Sequence, residues 1–253
     1  MLKNERYQHI LNYLNEKKSV KVVYLSSLLD VTQETIRRDL EHLEQLGEIE
    51  RVHGGAILKH TIIEETNFTI REAVNIEEKK LIASHAVQFV KEGNFVALDV
   101  STTNTEIAKE LVQSFHSLSI ITNSIIIATI LCENPNFNVY LPSGKIRNSE
   151  LCIVGGSCVS YIEKFNIDTF FMSVSGISLE KGLTDYGDGE YEVKMAMYRN
   201  ARKVFVVADH TKFDSVAMLK IGDLKSVDGI ITDSNISQPV LEKYEKHDIH
   251  VFV

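Results

Sequence analysis

The sequence predicts an α/β protein in two unequal parts, and three observations carry that reading. The first sixty residues repeat helical spacing of apolar positions and then alternate around a double glycine. From about residue 79, apolar runs of strand length alternate with helical stretches, the pattern of a mainly parallel sheet covered by helices. The 253 residues, 44% hydrophobic and 25% charged with only 3 Pro, are enough for one large or two unequal cores and exclude a disordered or low-complexity chain. The expected division is a small domain over residues 3–58, a connector over 59–78 and an α/β domain over 79–253.

Within the small domain, Tyr7, Ile10, Leu11 and Leu14 recur at helical spacing, and polar Glu16-Lys17-Lys18-Ser19 closes a first helix. A second, short helix over residues 23–29 sets Leu25, Leu28 and Leu29 on one side, and Asp30-Val31 makes a tight connection. Thr32 is suited to cap a third helix, because its hydroxyl can accept a backbone N–H of the next turn. Thr35 rather than Glu stands three residues on, so the reciprocal half of a capping box is missing. That third helix, about Gln33 to Leu46, is expected to bury Ile36, Leu40, Leu43 and Leu46, to expose Gln33, Glu34, Arg37, Arg38 and Glu41, and to stop at Gly47. Residues 48–58 then alternate around Gly54-Gly55 as a hairpin. Short helices, a tight turn, a third helix basic near its start and a glycine-tipped ribbon compose a winged helix-turn-helix, whose last helix enters the major groove of duplex DNA. A solvated face explains an isolated arginine pair; the cap, turn and ribbon around Arg37 and Arg38 favour the DNA reading.

Charge limits how such a contact is made. Residues 1–60 carry nine basic and nine acidic side chains, so the whole net charge of −8 lies beyond them. Any DNA contact must come from a local patch, and assembly into a homodimer or homotetramer would compensate for weak binding by one copy.

Residues 59–78 lack sustained periodicity and any Gly/Ser or Pro tract, and read as a packed connector with a hinge around residues 62–76. Beyond it the expected strands are 95–98, 118–121, 138–141, 169–174, 203–208, 229–231 and 249–253. The expected helices are 79–91, about 103–112, 125–131, 190–199 and 239–246, and Phe170-Phe171-Met172 reads as core. Ligand sites in such domains lie at the carboxyl ends of the strands.

Polar clusters fall at those ends. Asp99 to Asn104 follows a strand and opens a helix, so the hydroxyls of Ser101, Thr102 and Thr103 and the helix-start N–H groups can hold an anion. Thr122-Asn123-Ser124 repeats the arrangement, Ser143-Gly144-Lys145-Ile146-Arg147 adds two cations, and Asp209-His210-Thr211-Lys212 adds a carboxylate and an ammonium. Carboxylate, amide and hydroxyl groups beside Lys and Arg suit a phosphorylated polyol: the cations and N–H donors take the phosphate, while Asp and Asn take sugar hydroxyls. Each loop alone could simply cap a helix, and their convergence on one rim favours a ligand. His210 alone reads as a surface histidine, and Glu190, Glu192 and Lys194 as charges paired along a helix.

The string Thr35-Ile36-Arg37-Arg38-Asp39-Leu40, followed by Leu43, Gly47 and Arg51-Val52-His53-Gly54-Gly55-Ala56, resembles the winged helix-turn-helix signature of DeoR-family bacterial transcriptional regulators. The resemblance implies that Gln33, Thr35 and Arg37, behind capping Thr32, face bases or adjacent phosphates, while Lys21, Arg38, Arg51 and His53 hold the DNA backbone. LDVSTT, ITNS, LPSGKIR, Gly182-Leu183-Thr184, Glu192-Val193-Lys194 and VVADHTKF resemble the same family's sensor domain, which is similar in fold to ribose-5-phosphate isomerase. That implies a phosphorylated sugar as effector, held by Asp99, Ser101, Thr102, Thr103, Thr122, Asn123, Ser124, Lys145, Arg147, Glu192, Asp209 and Lys212. Two positions depart from the patterns: Ser143-Gly144 stands where the family often has Gly-Gly, and Ser173-Val174-Ser175-Gly176 where the isomerases carry paired acidic residues. Without that acid pair the alternative, an isomerase-like enzyme with an accessory N-terminal domain, lacks its base.

No cofactor, metal or catalytic set is expected. Cys132, Cys152 and Cys158 are odd in number, lack CxxC spacing and read as reduced core residues. No apolar run approaches the roughly 18 residues of a membrane span, and the charged start MLKNERYQHI is unlike a signal peptide, so a cytoplasmic location is expected.

Overall fold

Strands buried on both faces must be apolar without alternation, and they form only where neighbours take their backbone hydrogen bonds. The runs FVAL and SIIT and the VFVV that ends ARKVFVV meet both conditions in a computed structural model, which describes residues 3–17, 19–46, 48–52, 54–58, 68–187 and 189–253. The chain divides after Val74 into two units.

The first unit runs α1 (Lys3–Lys17), β1 (Ser19–Lys21), α2 (Val22–Leu28), α3 (Gln33–Gln45), β2 (Ile49–Val52), β3 (Gly55–Leu58) and α4 (Phe68–Ala73). Ile10, Leu14, Leu25, Ile36, Leu40, Leu43 and Ile49 form its core. Thr32 caps α3, accepting the N–H of Thr35 at 3.1 Å. The wing is a three-stranded antiparallel sheet in the order β1-β3-β2, with Lys21 opposite Gly55 and Val52 opposite Gly55 from the other side. Its turn requires both glycines: Gly54 sits at φ +80°, and a Cβ on Gly55 would lie 2.0 Å from the Val20 carbonyl oxygen. β1 was not expected, because three residues carry no periodicity.

Two expected core leucines lie elsewhere. The buried line of α2 runs through Val22, Leu25 and Leu29, which leaves Leu28 on its flank and 52% exposed. Leu46 is the C-cap of α3, past its last buried turn, and is exposed. Gly47 and the 59–67 part of the connector lie outside the described residues, whereas 68–73 is helical.

The second unit begins with α5 (Ile76–Ala86), continued by a 3-10 turn Val87–Phe89, then β4 (Phe95–Leu98), α6 (Thr102–Ser114), β5 (Ser119–Thr122), α7 (Ile125–Leu131) and β6 (Asn138–Tyr140). A hairpin β7 (Lys145–Arg147) and β8 (Cys152–Val154) leads to α8 (Gly156–Ile162), β9 (Ile167–Ser173), β10 (Gly176–Ser178) and β11 (Gly182–Asp185). The remainder is α9 (Glu190–Asn200), β12 (Ala201–Val207), β13 (Leu219–Gly222), β14 (Gly229–Ile231), α10 (Gln238–Glu245) and β15 (Val251–Phe252). Seven strands form one parallel sheet in the order β15-β14-β12-β9-β4-β5-β6.

Alternation through the sheet sorts side chains to two cores. Phe171, Phe205 and Val207 pack with Ile82 of α5, Ile107 and Leu111 of α6 and Ile127 of α7. Phe170, Met172 and Val206 pack with Ile162 of α8, Val193 and Met197 of α9 and Tyr244 of α10. Each fully buried aromatic of this kind contributes about 1.5–3 kcal/mol. Among the cysteines, Cys152 and Cys158 are buried as expected, but Cys132 is exposed, because Leu131 takes the last buried position of α7 and Cys132 caps it.

Chain order marks one point in this sheet. From β4 the chain proceeds outward through β5 to β6, whereas β9 starts the other half, which proceeds through β12 and β14 to β15. β4 and β9 are therefore neighbours whose connections leave in opposite directions, and their carboxyl ends mark the topological switch point.

Candidate functional site

In the first unit the exposed face of α3 and the wing carry the basic side chains. Thr32, Gln33, Arg37, Arg38, Lys21 and Arg51 are exposed and Thr35 is half-buried, while His53 lies outside the described residues. Glu34 lies 3.8 Å from Arg37 and 3.3 Å from Arg38, and Glu44 and Glu41 lie 3.8 and 4.0 Å from Arg51. Exposed pairs of this kind are worth well under about 1 kcal/mol, so phosphates can displace the carboxylates. From below, Arg6 of α1 grips buried Asp39 of α3 at two points, Nε to Oδ2 at 2.7 Å and Nη2 to Oδ1 at 3.0 Å. The pairing holds the Arg6 guanidinium above its ordinary pKa.

In the second unit, Asp99 follows β4 and is buried at the switch point. Its Oδ1 accepts the N–H of Ser173, at the end of β9, at 3.0 Å, and the side-chain amide of Asn104 at 2.6 Å. Its Oδ2 accepts the Ser173 hydroxyl at 2.8 Å and faces the Lys194 ammonium of α9 at 2.7 Å. Lys194, 4% exposed, also meets Asp185 Oδ2 at 2.5 Å and the Ser173 carbonyl, and Ser175 donates to the other Asp185 oxygen at 2.6 Å. Burial pushes the Asp99 carboxyl up, against the pull of Lys194 and Ser173. Burial also opposes ionisation of Asp185, but Lys194, Ser175 and the Tyr186 N–H outweigh it and hold that carboxyl below its ordinary value. Lys194, penalised by burial, is raised by the two carboxylates.

The register brings the other strand ends to the same rim. Leu98 of β4 lies opposite Thr122 of β5 and Phe171 of β9, and Ser173 lies opposite Val207 of β12. Ser101 caps α6 through the Asn104 N–H at 2.9 Å; Thr102 and Thr103 open that helix, and Thr122, Asn123 and Ser124 are buried. The Asn123 side chain accepts the Val100 N–H at 3.0 Å, linking the β4 and β5 loops, and Ser124 caps α7. Beyond β12, Asp209 accepts the N–H and hydroxyl of Thr211. Burial works against its ionisation, yet Lys212, Thr211 and Lys79 hold its carboxyl below the usual range. The Asn104 Oδ1 is buried with no hydrogen-bond partner among the described residues.

Both units match family models: a DeoR-like helix-turn-helix domain over residues 6–61 and a DeoR C terminal sensor domain over residues 74–234. The chain belongs to the DeoR family of transcriptional regulators. This DeoR-family chain is 36% identical over 95% of its length to the HTH-type transcriptional regulator GolR of Listeria innocua, of which 94% is covered. It is 30% identical over 99% to the glycerol-3-phosphate regulon repressor of Escherichia coli, of which 99% is covered. Among solved structures, ribose 5-phosphate isomerase A from Methanocaldococcus jannaschii matches 55% of this chain and 55% of its own at 16% identity and TM-score 0.42.

Not every expected residue of this DeoR-family regulator lies at the rim's buried centre. Lys145 and Glu192 are exposed, and Arg147 is engaged by Glu190 at 2.5 Å. The expected pairing of Glu190, Glu192 and Lys194 along one helix is replaced by long-range pairs, because Lys194 and Glu190 point to the sheet and the β7-β8 hairpin instead. His210 is half-buried, its Nδ1 2.9 Å from the buried carboxylate of Asp233. Lys194, Asp185, Ser173 and Ser175 joined the cluster unexpectedly, while Asn104 ends the expected Asp99 to Asn104 loop. Their common signal was position, each at or just beyond the carboxyl end of a strand or on a helix beside one.

Proposed function

We infer that this DeoR-family regulator represses transcription by binding operator DNA through Thr32, Gln33, Thr35, Arg37 and Arg38 of the α3 region and Lys21, Arg51 and His53 of the wing. A phosphorylated sugar bound at the switch-point rim relieves that repression. The expected division at residues 3–58, 59–78 and 79–253 then separates reader, connector and sensor. The protein works in the cytoplasm as a homodimer or homotetramer, since symmetric operators are read by symmetric assemblies; among the described residues no helix is long and apolar enough to cross a membrane.

The observation that carries the sensor reading is the Asp99 cluster. Carboxylates and an unsatisfied Asn104 Oδ1 accept sugar hydroxyls, and the α6 start with Ser101, Thr102 and Thr103 supplies donors for a phosphate. Thr122, Asn123, Ser124, Asp209 and Lys212 complete the rim, and Lys145, Arg147 and Glu192 close on the ligand from the hairpin and α9. The E. coli relative named for the glycerol-3-phosphate regulon supports a phosphorylated polyol as the ligand class. An effector that favours the DNA-incompetent arrangement by about 1–3 kcal/mol lowers operator affinity roughly 5- to 150-fold.

The test is a panel of phosphorylated hexoses, pentoses and trioses, each tried for a rise in melting temperature and for release of a duplex selected from a random pool. One member should do both. In parallel, Arg37→Ala should abolish sequence-specific binding while leaving the thermal shift intact. A panel without any shift, or undiminished selectivity in Arg37→Ala, overturns the corresponding half of the reading.

A further inference from the structure

We propose that Arg6 and Asp39 are positioning residues for DNA recognition: their two-point ion pair sets the rotation and height of α3 on α1, and through them the aim of Gln33 and Arg37. The proposal rests on the reading above that α3 meets DNA.

Three features lead there. Asp39 follows Arg37 and Arg38 directly, yet it is 3% exposed on the side of α3 facing the core. Arg6 meets it with two parallel bonds, 2.7 and 3.0 Å, a fork that fixes both distance and angle. The other contacts of α3 with the core are the apolar side chains Ile36, Leu40 and Leu43 and the His42 ring packed on Tyr7 of α1, and packing contacts of this kind accept small rotations that a fork does not.

Stability does not account for the pair. An apolar pair of similar volume is generally as stabilising as a buried ion pair, because both charges have to leave water. What an apolar pair cannot supply is direction. Successive residues of a helix are about 100° apart, so a modest roll of α3 swings Arg37 and Gln33 away from the base edges they would meet while leaving Arg38 and Arg51 near the phosphates. The pair should therefore govern discrimination between sequences and leave sequence-independent binding alone.

The experiment uses the full chain and two probes: the duplex that the native protein enriches from a random-sequence pool, and a base-shuffled duplex of equal length. The double variant Arg6→Met/Asp39→Leu should melt at or above the native temperature and keep the native affinity and salt slope on the shuffled duplex. Its preference for the selected duplex should fall about tenfold or more, the loss of one well-aligned base contact. A folded double variant with the native preference overturns the proposal. If the double variant melts below the native chain, Asp39→Glu decides, because it keeps the charge but lengthens the reach: lost preference in a folded protein supports the proposal, and retained preference overturns it. A native chain that enriches no duplex instead overturns the reading of α3, and this proposal with it.

Discussion

Lys194 is one ammonium facing the buried carboxylate of Asp99 and the half-buried carboxylate of Asp185, and its environment makes opposite demands of the three groups. Asp185, held below its ordinary value, contributes stability that is present at neutral pH and lost as pH falls through its folded pKa. Asp99, raised by burial, works in the other sense and loses its contribution as pH rises. Replacing Lys194 with Met leaves buried Asp99 and half-buried Asp185 without their counter-ion, which should cost about 3–5 kcal/mol near neutral pH. Both carboxyls then favour protonation, so the melting temperature of Lys194→Met should climb as pH is lowered from about 7 to about 5, the region approaching carboxyl titration. A variant that loses stability on acidification would show that the two carboxylates are not left unpaired. Cysteine chemistry gives a second expectation. Burial pushes the Cys158 thiol to about 12, and burial with the nearby Glu190 raises Cys152 as well, whereas Cys132 is exposed. An aromatic disulfide reagent should label only Cys132 in the folded chain and all three thiols after denaturation.

Among the elements, the wing depends on a close backbone approach more than on side chains. Gly55→Ala places a methyl against the Val20 carbonyl and should cost the first unit about 1–3 kcal/mol, read by urea unfolding, with loss of operator binding. Ligand-induced stabilisation of the second unit should persist. The wing's glycines also show what local sequence conveys. Gly54-Gly55 marked the turn, but that Gly55 must lie against Val20 depends on β1, a strand of three residues with no pattern of its own. In the same way α7 and β14 were legible to the residue, because Ile125–Leu131 and Gly229–Ile231 are apolar runs bounded by polar turns. The strands β7, β8, β10, β11 and β13 were not, since three or four residues pairing antiparallel in two small sheets of their own obey their neighbours rather than a period. The rim's loops were legible for a similar reason: Asp99 to Thr103 and Thr122 to Ser124 directly follow recognisable strands. Lys194 was not, because what distinguishes it from a helix-surface lysine is a carboxylate 95 positions earlier, brought near only by the β4–β9 pairing.

For the molecule as a whole, ligand and DNA binding should separate by mutation. Lys212→Ala removes a half-buried cation that holds the Asp209 carboxylate ionised. It should weaken binding of the active sugar phosphate by about ten- to a hundredfold, the worth of one charge-assisted hydrogen bond, and leave DNA affinity without ligand unchanged. The measurement is the ligand concentration that releases half of the bound duplex, and an unaltered release curve removes Lys212 from the site.

The adjacency of β4 and β9 also bears on how the chain is made. The first half-sheet, β4 to β6, emerges from the ribosome with the flank of its innermost strand bare, and that flank stays bare until the stretch ending at Ser173 has been translated. A naked, apolar strand edge is the feature that invites nascent chains to clump. The interval between synthesis of these two strands is thus when newborn molecules most need a chaperone.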